Sequence, residues 1–86
     1  MAQNGKKGEF TWKIQHIPYI GEALKRLRND KNLTQQQLSS LCSINRPYIS
    51  MLERNVKQPK LTIIFLLAAG LEMKPSELVR EIVNYY

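Results

Sequence analysis

The chain has 86 residues, enough for one domain around a thin apolar core, and small domains of this kind often gain stability by oligomerising. No run approaches the ~18 consecutive apolar residues of a membrane span, the polar opening MAQNGKKGEF lacks the apolar stretch of an export signal, and a single cysteine cannot staple the fold internally, so a cytoplasmic protein with no membrane partner is expected. The net charge of +6 sits in the front of the chain: residues 1–59 carry ten Lys/Arg against four acids, and residues 60–86 carry three of each. That asymmetry suits a face for a polyanion, and it suits a merely solvated basic surface equally well.

Residues 1–17 read as an N-terminal arm, flexible or strand-like, ahead of a domain at 18–86. Phe10, Trp12 and Ile14 alternate with Thr11, Lys13 and Gln15, which is strand period. No second strand is evident in the chain. The arm therefore either pairs with its copy in another subunit or tucks Trp12 onto a helical core.

Pro18 can open a first helix in which Ile20, Ala23, Leu24 and Leu27 form one buried stripe, with Lys25, Arg26 and Arg28 off it. It should stop near Asp30–Asn32. Thr34 is a good N-cap for a second helix, with Gln37 as its capping-box partner and Leu38, Leu41 and Cys42 as apolar positions. That helix ends at Ser43. Asn45 is a fresh N-cap, and Pro47 falls in the first turn of a third helix, where its missing N–H is tolerated. Ile44, Ile49 and Leu52 continue the buried face, and Val56–Lys60 makes a loop. A fourth helix from Leu61 or Thr62 to Gly70 is apolar nearly all round, which predicts burial on more than one side. Pro75 and Ser76 open a fifth, with Leu78, Val79, Ile82 and Val83 on its apolar face. The fold class expected is all-α, with five helices.

Two short helices joined by a tight turn can pack steeply and leave the second protruding. Its leading end would carry Asn45, Arg46, Tyr48 and Ser50. Arginine can bond guanine O6 and N7 in the major groove, and the other three can bond phosphates or base edges.

The matching positions are numerous. Leu33-Thr34-Gln35 opens the second helix and Leu38 follows. Ile44-Asn45-Arg46 opens the third, followed by Tyr48-Ile49-Ser50 and Leu52-Glu53-Arg54. Pro59 and Leu61 lead into the fourth. On these residues the stretch from Ile20 to Leu71 resembles the lambda-repressor-like (Cro/repressor, Xre-type) helix-turn-helix family, and NRPYISMLERN is similar to the controller proteins of restriction-modification systems. The resemblance implies that Arg46, Ser50 and Met51 read bases. It implies that Gln35, Asn45, Tyr48, Arg54, Asn55 and Lys57 hold the DNA backbone, and that Arg28 and Glu53 form an internal ion pair. Pro47 stands where many relatives carry a small polar residue. Ser43 stands where glycine is usual, so a left-handed conformation there would cost roughly 1 kcal/mol. Ile63, Leu66 and Ala69 fall where relatives often carry polar residues. This stripe is expected to form a homodimer contact with Val79, Val83 and Tyr86; the alternative is a thicker monomer core covered by the arm.

No catalytic constellation is evident. His16 and Cys42 are too few for a zinc site, and Cys42 reads as a small core residue. Ser39-Ser40 has no recognisable triad partners, and no Gly-rich phosphate loop occurs. The sequence thus predicts a non-enzymatic transcriptional regulator that binds a palindromic site on double-stranded DNA as a homodimer, with no cofactor, metal or small-molecule ligand. The rival is a protein-interaction module, antitoxin-like or coactivator-like, on the same fold.

Overall fold

The computed structural model describes residues 17–85. The strand-like reading of the arm and the interface role of Tyr86 fall outside them. Five helices follow one another: α1 (Ile20–Asp30), α2 (Gln35–Cys42), α3 (Arg46–Glu53), α4 (Leu61–Gly70) and α5 (Pro75–Val83), with no strand among the described residues. The fold is all-α, as the periodicity required.

Pro18 and Tyr19 form a turn ahead of α1, so the helix starts two residues later than Pro18 suggested. Tyr19, at φ 71°, offers no side-chain cap. The cap comes instead from the far end of α3, where Asn55 Oδ1 accepts from the Gly21 amide at 2.9 Å. The second helix is capped from its own sequence: Thr34 Oγ1 accepts from the Gln37 amide, and Gln37 Oε1 accepts from the Thr34 amide. Asn45 Oδ1 accepts from the Tyr48 amide at the start of α3, with Pro47 in the first turn.

Three helices end alike. The amides of Leu33, Val56 and Met73 reach back five residues to the carbonyls of Arg28, Met51 and Ala68. The residue before each amide (Asn32, Asn55 and Glu72) is left-handed, at φ 57°, 61° and 58°. Asparagine tolerates that region through local side-chain bonds; Glu72 occupies it at a cost of about 1 kcal/mol. Ser43, between α2 and α3, is also left-handed at φ 59°, the conformation its position predicted.

Leu24, Leu38, Ile49, Leu52, Leu67, Leu71 and Leu78 are the large side chains buried completely, drawing on every helix or its end. Cys42 joins this core, as expected, and burial pushes its thiol pKa up. Leu41 does not; it is 58% exposed. The α2 helix turns Leu38 and Cys42 inward, four residues apart, and Leu41 lies off that line. Two glycines permit close approach. A Cβ on Gly21 would lie 2.3 Å from the Glu53 carbonyl oxygen, and one on Gly70 would lie 2.9 Å from Cys42 Cβ. The first pins α1 to α3; the second pins α4 to α2.

The ends of the described region meet. Tyr19 stacks on Tyr85, ring centroids 5.8 Å apart, and Arg26 lies over the Tyr85 ring while donating to its hydroxyl and to Glu81.

Candidate nucleic-acid interface

The interface is built on α3. Ile49 and Leu52 are buried, so the opposite side of the helix faces out. Arg46, Ser50 and Arg54 recur at four-residue spacing along that side, with Pro47 and Met51 beside them. Arg46 and Arg54 are exposed; Ser50 and Met51 are half-buried. Tyr48 is half-buried against the core, a packed ring beside the leading end of the helix. Asn45 spends its side-chain oxygen on the cap and thereby fixes where that end begins.

The only acid of α3, Glu53, is withdrawn from this surface. Its side chain is 4% exposed and takes two bonds from Arg28, Nε to Oε2 at 2.6 Å and the Nη2 contact to Oε1 at 3.0 Å. Arg28 also donates to the Leu33 carbonyl. The bond to Glu53 holds the Arg28 pKa above its ordinary value although burial opposes it. The pair is therefore internal, as expected of Arg28 and Glu53. The charge left outward between Asn45 and Lys57 is wholly positive: Arg46, Arg54 and Lys57.

Gln35, the first residue of α2, bridges the last and first residues of α3. Its Nε2 donates to Glu53 Oε1 at 3.0 Å, and its Oε1 accepts from Arg46 Nη1 at 3.1 Å. Asn55 is placed differently from its expected role on the DNA backbone. Its oxygen caps Gly21, and its nitrogen donates to Glu22 Oε1 at 3.0 Å. Its side chain is turned inward as a brace between α3 and α1. No local pattern reports such a contact across more than thirty residues.

The apolar surface also differs from expectation. Ile63 and Leu66 are half-buried against the core, while Leu61 is 71% and Phe65 54% exposed, with Ala69 exposed on the same line. The outward stripe of α4 is therefore Leu61–Phe65–Ala69. Because this helix is apolar all round, its period could not select the outward side. Val79 and Val83 are exposed on α5.

A helix-turn-helix family profile matches residues 24–78. The chain belongs to the helix-turn-helix family. Among solved structures it is similar to the restriction-modification controller protein C.AhdI from Aeromonas hydrophila, with 34% identity and a TM-score of 0.69 over 72% of this chain and 94% of that one. It is 33% identical to the uncharacterized HTH-type transcriptional regulator y4dJ of Sinorhizobium fredii over 60 residues, covering 70% of this chain and 78% of that one. It is 31% identical to the immunity repressor protein of Bacillus phage phi105 over 62 residues, 72% of this chain. There it spans 43% of the repressor's length, the match being confined to one part of that protein. Repressor and controller are the two kinds of helix-turn-helix protein that the segment Ile20–Leu71 resembled.

Proposed function

We propose that this chain is a sequence-specific DNA-binding transcriptional regulator that occupies a palindromic operator as a homodimer. The observation that carries the reading is the capped, outward leading end of α3. It presents Arg46 beside a wholly positive surface, and the one nearby acid is buried in an ion pair. The names of its relatives, an immunity repressor and a controller protein, support the same class of function.

In this mechanism α3 enters the major groove and Arg46 reads a base, with guanine the natural match for its paired donors. Ser50 and Met51 lie further along the helix against neighbouring base edges. Gln35, Asn45 and Tyr48 flank the leading end, and Arg54 and Lys57 hold phosphates beyond it; both position the helix and carry no sequence information themselves. Residues 18–86 act as the binding domain, and residues 1–17 as an arm.

Leu61, Phe65 and Ala69 with Val79 and Val83 supply the dimer contact, joined by the outer edges of Ile63 and Leu66. Two copies would set their α3 helices about one DNA turn (~34 Å) apart on a two-fold site. Regulation is by occupancy in the cytoplasm, and dimerisation ties binding to concentration.

Selection of bound sites from random duplex DNA tests the reading; a two-fold symmetric consensus is expected. Arg46→Ala should weaken specific binding by ~1–3 kcal/mol and relax preference at one base pair per half-site. A uniform loss on all sequences would make Arg46 a phosphate contact. A monomer in solution that prefers no duplex would favour the interaction-module reading.

A further inference from the structure

The chain enters the domain under restraint. The Ile17 amide donates to Gln58 Oε1 at 2.8 Å, and Gln58 Nε2 donates to the Ile17 carbonyl at 3.3 Å. One side-chain amide thus binds both polar groups of a residue's backbone, as a neighbouring strand would. Gln58 lies three residues before Leu61, where α4 and its outward row Leu61–Phe65–Ala69 begin. Residues 10–16 therefore set out from near the root of that row. Successive members of the row are about 6 Å apart along the helix. Alternate residues of an extended segment are about 6.6 Å apart, close to the same spacing. Phe10, Trp12 and Ile14 alternate with Thr11, Lys13 and Gln15, so such a segment has one apolar and one polar edge. Ile14, Trp12 and Phe10 stand three, five and seven residues from the anchor, a reach of about 10, 17 and 23 Å. That is enough to follow α4, about 15 Å long, to its end. There a hollow of about 300 Å³ opens, lined by Leu33, Leu41, Ala69 and Gly70 with Lys31 and Glu72, and it has room for an aromatic ring.

We infer that residues 10–14 of the arm cover the outward face of α4 in the monomer, with Ile14 on Leu61, Trp12 on Phe65 and Phe10 at the hollow beside Ala69, and that a second copy must displace them to dimerise. The displacement rests on the dimer reading above; the cover does not. The occupant is the chain's own arm because Gln58 keeps its root close to α4, at a high effective concentration. This register leaves Thr11, Lys13 and Gln15 in water. It also accounts for a strand-like alternation in a chain whose described residues hold no strand to pair with. A single extended segment must be ordered to cover the face, which opposes it. A second copy would bury Val79 and Val83 of both subunits as well. The arm is thus a cover that the dimer can remove, and it raises the concentration at which operator binding sets in.

Trp12 is the only tryptophan, so its fluorescence reports the arm in the full chain. In dilute monomer its emission should be blue-shifted, as for a shielded indole, and both Phe65→Ser and Gln58→Ala should shift it to the red. Concentrating the unaltered chain through its dimerisation midpoint should shift it to the red as well. In sedimentation equilibrium, Phe10→Ser combined with Trp12→Ser should tighten the dimer roughly tenfold, the gain when each of two subunits would otherwise be open about a third of the time. Emission of a solvated indole from the dilute chain would overturn the cover, and so would a shielded Trp12 that ignores either substitution. A further blue shift on association would make the arm part of the dimer contact. A dimer left unchanged or weakened by the paired arm substitutions would show that arm and second copy do not compete. Either result overturns the displacement. A chain that stays monomeric at every concentration while Trp12 responds to Phe65→Ser would remove the dimer reading and leave the cover standing.

Discussion

The joint between α1 and α3 and the outward face of α4 and α5 use opposite kinds of chemistry. At the joint, Gly21 lets two backbones nearly touch, Asn55 caps a helix that cannot cap itself, and Arg28 and Glu53 close a buried ion pair. The groups named there find their partners within the same chain. On the other face, Leu61, Phe65, Val79 and Val83 stand in contact with solvent. Large apolar side chains gathered in water are a liability, and a second surface would remove it. In the proposed dimer, rigidity and association would belong to separate regions: the joint would fix the aim of α3 within one subunit, and the apolar side chains of α4 and α5 the distance between two.

The joint is most sensitive at its ion pair. Glu53→Ala would leave Arg28 almost buried without its counter-charge, at an expected loss of about 3–5 kcal/mol in chemical denaturation. Gly21→Ala should cost ~3 kcal/mol, because the new methyl would meet the Glu53 carbonyl and force α1 away from α3. A denaturation midpoint near that of the unaltered chain would show that the joint is looser than its distances imply.

On α4, Phe65→Ser should weaken the proposed dimer by ~2 kcal/mol in sedimentation equilibrium, with helical content unchanged at high protein concentration. Leu66→Glu is the poorer probe, since Leu66 also packs on the core and its replacement would damage both. Ser43→Gly should raise stability by about 0.5–1 kcal/mol by relieving the left-handed residue between α2 and α3, and thermal melts read the gain.

The smallest effect concerns Glu22. Its bond from Asn55 holds the carboxyl below its ordinary range. A carboxyl lowered on folding contributes stability above its unfolded value, and the contribution is lost as pH falls through the folded one. NMR titration should place Glu22 below a typical glutamate, with only a slight loss of stability because the group is exposed.

What the sequence made legible was local. Thr34 with Gln37, Asn45 with Pro47, and the apolar spacing of α1 each specify a cap or a face within one turn, and the structure has them in place. Ser43 was legible as a strained turn because one residue's φ was at issue. Contacts closed only by folding were not legible: Asn55 with Gly21, Gln35 with Glu53, and Tyr19 with Tyr85 join residues far apart in the chain. The outward side of α4 was hidden for another reason. Periodicity reads contrast between faces, and LTIIFLLAAG has almost none. Leu41 was misplaced because an exposed leucine on α2 has the same composition as a buried one.

The stacking of Tyr19 on Tyr85 has a topological corollary. Residues 19 and 85 are neighbours, so a short linker joining them would close the domain at little entropic cost. A circular permutant reopened in the connection after Gly70 would then keep α1, α2 and α3 continuous, and with them the hydrogen bonds that run from Arg28 to Arg46.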